Sequence, residues 1–457
     1  MIHSLFPRSS IRSTSLHVPS LARSRPFHCQ RLPTTLLARR TTMAAAQAAA
    51  AVQDGGAPTL SWWQRLRWRP TSRPEALFYE RKLLDMLRGT YDAYDVKVGP
   101  SKEEYIHTVA GGQAPGADRP AFVAIPGYST GSSFLFKLFD GLSAATRLYA
   151  IDLLGTGLSG RPPFRVRSRE EAEQFFVRSL DAWREAQGLD KMVLMGHSMG
   201  GYLSACYALE HPERVQHLIL MCPAGIGKQP ADWQPPARVR NPWTVRGQMF
   251  RLATWVWDYN VTPGSIVRCF GPWGPGLVSK YCRSRFTAQQ QLNEAEVAAL
   301  EQYHYHTLAP RGSGEFALRH VLAPFAWPRA ALEERMAELD VPITFIYGEA
   351  DWMDSRAAER LVAAVAKHRD AKFPADLKVM ITPDAGHYPA IDQPGAVLRQ
   401  LATACGSYLP PAAKEAMLAA AKQLPAHGAS LGDSAEQLER EMRENPLEAA
   451  AHEASEL

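Results

Sequence analysis

Ser198 sits in Gly196-His197-Ser198-Met199-Gly200, a G-x-S-x-G pentapeptide flanked by the apolar run "KMVLM" and the helix-like run "GGYLSACYALEH". Glycine loses much conformational freedom on folding, so three glycines around one serine need a reason. A sharp strand-to-helix turn supplies it. Gly196 and Gly200 leave room where strand and helix nearly touch, the turn lifts the hydroxyl above the sheet edge, and the helix N-terminus brings N–H groups close. A serine used this way needs a base, and the base needs an orienting acid. His387 in "TPDAGHYPAIDQP" and Asp351 in "IYGEADWMD" each follow an apolar run, and the chain order serine, acid, histidine suits this turn. His387 would take the Ser198 proton, while Asp351 would fix its tautomer and stabilise the imidazolium. Asp354 is the rival acid. Two N–H groups should face a developing oxyanion: that of Met199, and that of Tyr128 in "IPGYSTG", where Gly127 permits close approach. Losing one such donor typically lowers the rate about a hundredfold or more.

Other motifs carry less. "GTGLSG" at 155–160 matches G-x-G-x-x-G, but Arg161-Pro162-Pro163 follows where a dinucleotide site needs a helix to begin. A turn after Asp152 near the site rim is the better reading. His304 and His306 would lie on different faces of a helix and suit no metal. The six cysteines are scattered without a C-x-x-C pair, which fits reduced thiols better than a disulfide framework or zinc site. No cofactor and no metal is implied, and no basic pattern points to nucleic acid.

The elements that must hold these side chains alternate. Short apolar runs, "AFVAIPG", "RLYAIDLLG", "KMVLMGHS", "VQHLILMCP", "PITFIYGEAD" and "LKVMITPDAGH", are mostly separated by helix-like stretches. That pattern predicts an α/β fold with a mostly parallel central sheet covered on both faces. It breaks at 228–340, a segment too long for a loop, which reads as a helical cap. The core thus divides into 105–227 and 341–409. With 46% hydrophobic and 21% charged residues the composition is globular, and no apolar stretch is long enough to span a bilayer.

The ends differ from the middle. Residues 1–43 hold seven arginines, seven serines and no acid, the composition of an organelle transit peptide. The expectation is a mitochondrial protein, with chloroplast, or cytoplasm and lipid droplet, as alternatives; Met43 as the true start is another reading. Residues 44–60 read as a low-complexity linker and 61–104 as a Trp/Arg-rich segment. Residues 410–457 read as an acidic tail leaving the domain after Pro410-Pro411.

Together these features resemble the α/β-hydrolase superfamily. "WWQRLRWRPTS", "FGPWGPGLVSKY", "GEADWMD" and "GHYPAIDQP" resemble more narrowly its lipid-acting subfamily of α/β-hydrolase-domain proteins four and five, the comparative-gene-identification-58 type. The resemblance runs from about Trp62 to Leu409. It implies an α/β-hydrolase fold, action on lysophospholipids, phospholipids or acylglycerols, association with a membrane or lipid-droplet surface, and a protein partner in lipid metabolism. Some animal members lack the serine and act as lipase coactivators; this chain keeps Ser198. Many relatives have His-Gly where this chain has Pro126-Gly127. The subfamily is also linked to lysophosphatidic acid acyl transfer through H-x-x-x-x-D, which His387 and Asp392 satisfy. There His387 would deprotonate an acceptor hydroxyl, oriented by Asp392. The alternative is that Asp392 caps a helix starting near Gln393-Pro394.

Lipid is also suggested by the residues themselves. Trp62, Trp63 and Trp68 lie among Arg65, Arg67 and Arg69, a mixture suited to a membrane interface or to a helix packed on the domain. Between Lys228 and Phe286, nine Lys or Arg stand against two Asp, with five tryptophans. A basic, aromatic cap suits an acyl substrate with a phosphate headgroup; an ordinary cap core with solvated charges is the alternative.

Overall fold

The computed structural model describes residues 68, 70–112, 119–235, 237–287, 291–368 and 377–424. Expectations for residues 1–43, Trp62 and Trp63 lie outside these. Eight strands form, β1 (Tyr91–Lys97), β2 (Tyr105–Gly111), β3 (Ala121–Ile125), β4 (Arg147–Ile151), β5 (Met192–His197), β6 (Val215–Met221), β7 (Ile343–Gly348) and β8 (Leu377–Thr382). They make one sheet in the order β1-β2-β4-β3-β5-β6-β7-β8. β2 pairs antiparallel with β1 and β4; every other pairing is parallel. All six apolar runs are strands.

Because side chains alternate along a strand, each central strand feeds two cores. Phe122, Ala124, Val193 and Met195 point into one; Val123, Ile125, Met192 and Leu194 point into the other. The first core is closed by α1 (Arg73–Asp85), α2 (Phe139–Ala145) and two C-terminal helices, the second by α3 (Arg169–Ala186) and α4 (Met199–Glu210). Between β6 and β7 lie four longer helices, α5 (Val245–Asp258), α6 (Pro263–Phe270), α7 (Gly274–Phe286) and α8 (Glu294–Leu308). Asn293 and Glu296 form a capping box that starts α8, satisfying two orphan backbone donors. α9 (Ser355–His368), α10 (Pro394–Ala404) and α11 (Pro411–Gln423) complete the described chain.

Two boundaries differ from expectation. The fold begins before residue 105: Ser72 caps α1 by accepting the Glu75 N–H, and β1 pairs with β2 along its length. β1 is a half-exposed edge strand, so it has no apolar run. β2 buries polar groups instead: the His107 ring meets Glu80 and Asp95 at 2.8 and 2.9 Å, and Thr108 accepts from the Trp183 indole at 2.9 Å. The domain also continues past Pro410-Pro411. α11 packs on α2 and α10 and buries Ala413, Met417 and Ala421. Among the described residues no helix is long and apolar enough to cross a membrane.

Candidate active site

β5 ends at His197 and α4 starts at Met199, leaving Ser198 alone in the turn at φ 51° and ψ −118°. A non-glycine residue there is strained, and such strain persists only where the surroundings over-determine it. Here the Ser198 N–H donates to Met221 O at 2.9 Å, while its carbonyl accepts from Tyr202 and Ala224. The glycines have the steric role the motif suggests. A Cβ on Gly196 would meet Gly200 O at 2.3 Å, and one on Gly200 would meet Pro126 O at 2.3 Å.

Two loops at the C-terminal ends of β7 and β8 bring the partners. His387 Nε2 lies 3.0 Å from Ser198 Oγ, and His387 Nδ1 lies 2.8 Å from Asp351 Oδ1. These residues, distant in sequence, thus form an unbroken hydrogen-bonded chain. Asp351 is buried and also accepts the Met353 N–H at 3.1 Å. Burial alone would raise its carboxyl; the facing His387 ring, the Cys222 thiol and the Met353 N–H outweigh that and hold it below the usual carboxylate range. Asp354 is exposed, and its carboxylate accepts the Arg356 N–H where α9 begins. A serine hydroxyl beside an imidazole that is itself backed by a carboxylate can attack an ester carbonyl.

The Met199 N–H, first in α4, has no acceptor within the helix and lies next to the nucleophile. The loop after β3 passes close by. A Cβ on Gly127 would come within 3.2 Å of Ser198 Cβ, so the Tyr128 amide follows a backbone that must be bare. The Tyr128 hydroxyl donates to Glu315 O, tethering this loop to the cap segment.

Asp392 does not reach the His387 ring, and it does not cap the following helix, whose N-cap Gln393 makes no side-chain cap bond. Both expectations for it are corrected. Asp392 instead ends the short helix Pro389–Asp392, where Oδ2 accepts the Gly386 N–H at 2.9 Å and both oxygens pair with Arg285 of α7. The H-x-x-x-x-D spacing thus places the carboxylate under the backbone that carries His387. Trp68 is 57% exposed and its ring packs edge-on against Trp273 at 6.3 Å, so it is both near the cap and open to solvent.

Two contributors escaped sequence reasoning. His197, an unassigned "x" of the motif, donates from Nε2 to His387 O at 2.7 Å. Burial and the neighbouring His387 push its pKa down to about 3, so the ring stays neutral and can hold that carbonyl at any ordinary pH. Arg285 is 107 positions from Asp392, and no local pattern links them. His304 and His306 point to different partners, one packed on Phe134, the other paired with Glu75. Among the described residues, His197, Cys222 and His387 bring metal-ligand atoms within 4.8 Å of one another. They do not fit a metal: both His387 nitrogens are engaged, His197 Nε2 carries a proton, and burial keeps the Cys222 thiol protonated. "GTGLSG" forms a turn in which Asp152 accepts the Leu158 N–H, with no helix beginning in it.

A family model described as alpha/beta hydrolase fold matches residues 120–394. A rice protein named probable 1-acylglycerol-3-phosphate O-acyltransferase is 36% identical over 76% of this chain and 85% of its own length. A mouse protein named (lyso)-N-acylphosphatidylethanolamine lipase is 34% identical over 71% of this chain and 89% of its own. Among solved structures, the carboxylesterase CesB of Bacillus subtilis superposes with a TM-score of 0.50 at 18% identity, over 73% of this chain and 98% of that one, a likeness of fold alone. With the elbow, the sheet order and these matches in hand, the chain belongs to the α/β-hydrolase family, in the subfamily that holds the rice and mouse relatives.

Proposed function

We propose that the protein is a serine hydrolase of lipid esters that works through an acyl-enzyme on Ser198. The observation that carries this reading is the continuous line Asp351–His387–Ser198, with 2.8 and 3.0 Å links, at a strained turn beside a helix N-terminus. His387 Nε2 takes the hydroxyl proton as Oγ bonds to the ester carbonyl carbon. Asp351 accepts from Nδ1–H and stabilises the imidazolium. The Met199 and Tyr128 N–H groups hold the oxyanion. Collapse breaks the ester bond, and His387 returns its proton to the departing alcohol. Water, activated by the same imidazole, then frees the fatty acid. A lysolipid hydroxyl in place of water would receive the acyl group instead. One acyl-enzyme therefore accommodates both a lipase and an acyltransferase, the two activities in the relatives' names.

The test is mass-spectrometric product analysis on a panel of phospholipids, lysophospholipids and acylglycerols, with a fluorophosphonate label on the nucleophile. Wild-type protein should label and release fatty acid or reacylated lipid. Ser198→Ala should do neither. A wild-type protein that neither labels nor turns over any lipid, yet stimulates a second lipase as well as Ser198→Ala does, would identify a non-catalytic coactivator instead.

A further inference from the structure

One cap helix turns its apolar side to solvent. In α5, Val245, Met249, Leu252 and Trp255 are 81%, 60%, 52% and 56% exposed. At 3.6 residues per turn they share one arc of about 120°, which Tyr259 continues one residue past the helix. Trp243, 90% exposed, stands just before it. Gln248 is the polar member of the arc. The exposed Arg246 and Arg251 lie on its two margins. The opposite side faces the protein: Gly247 is buried, Phe250, Thr254 and Trp257 are half-buried, and the Trp257 indole donates to Leu322 O at 3.3 Å. That anchor fixes the roll of the helix with its apolar arc outward.

A contiguous apolar stripe of this kind marks an interaction site. Its chemistry selects the occupant. An apolar face edged by arginines is the pattern of a helix lying in a lipid interface, its rings at headgroup depth and its cations against phosphates. A second copy of this chain suits it less well, because residues 243–261 contain two arginines and Asp258 as their single acid, leaving little to neutralise facing arginines. We propose that α5 is an interfacial docking helix that seats the protein on an anionic lipid surface. The proposal rests on the reading of the site as lipid-directed only for its purpose; the docking itself needs no catalysis.

The full chain carrying Ser198→Ala is measured by co-sedimentation with phosphatidylcholine vesicles, with and without phosphatidylserine. Binding should be stronger to the anionic vesicles and weaken with salt. Val245→Ser with Met249→Ser and Leu252→Ser should lower the partition coefficient about tenfold or more on both. Arg246→Gln with Arg251→Gln should lower it only on anionic vesicles and flatten the salt dependence. All five side chains are exposed, so melting temperatures should match the parent. Unchanged vesicle binding by the triple variant overturns the proposal. So does loss of a dimer in light scattering with vesicle binding intact, which would assign the face to a second copy. Fluorophosphonate labelling of the wild type in solution reports the site separately: absent labelling with binding as described would sink the hydrolase reading and leave the docking helix standing.

Discussion

The acid of the site is decided by one carboxylate's surroundings. Asp351 and Asp354 are three residues apart in "DWMD", and spacing alone leaves both open. The fold separates them by neighbours, since Asp351 is buried against His387 while Asp354 starts a helix in solvent. Asp351→Asn should therefore lower kcat for ester hydrolysis about 10³–10⁴-fold by favouring the wrong imidazole tautomer, with little change in KM. Asp354→Asn should stay within about twofold, its role being a helix start. A larger loss in Asp354→Asn than in Asp351→Asn, measured by steady-state kinetics on a soluble ester, would exchange the roles. Ser198 and His387 were legible because each lies beside a strand end in a distinctive string. His197 was not, because its task is to hold a backbone carbonyl that only the folded loop brings near.

At the scale of elements, the sheet was legible wherever strands are buried on both faces and read as apolar runs. β1 and β2 were hidden because an edge strand and a strand with buried, satisfied polar groups lack that signature. Asp392 shows the same limit in the site. Its spacing from His387 suggests a direct partner, whereas its carboxylate bridges the Gly386 N–H and Arg285 of α7. Removing it leaves a buried donor unpaired and loosens the loop that aims His387. Asp392→Ala should lower kcat/KM roughly 10–100-fold, the scale of a displaced catalytic group, for hydrolysis and acyl transfer alike, and Arg285→Gln should do so less. If Asp392→Ala abolished transfer to a lysolipid and left hydrolysis intact, the carboxylate would be the acceptor's orienting acid after all.

Across the whole molecule, His107 ties three elements together, reaching Glu80 of α1 and Asp95 of β1 from within β2. Burial alone would lower its pKa; Glu80 and Asp95 outweigh that and raise it to about 10. A folded value above the unfolded one, about 6.5, means the contribution is fully present below that pH. It is lost as pH rises through about 10. The melting temperature should accordingly fall on raising the pH from neutral toward 10, and His107→Gln should be less stable at neutral pH with a flatter profile. A wild-type melt that is level over this range would show that the imidazolium contributes nothing.

The cap segment divides the chain between β6 and β7, so Ser198 and His387 are 189 positions apart. During synthesis the oxygen that would attack esters leaves the ribosome long before the imidazole that arms it. A nascent chain halted anywhere in the cap would hold an ordinary alcohol with no imidazole beside it. On the proposed mechanism, reactivity would arrive only after β8, when the whole cap segment has already been made.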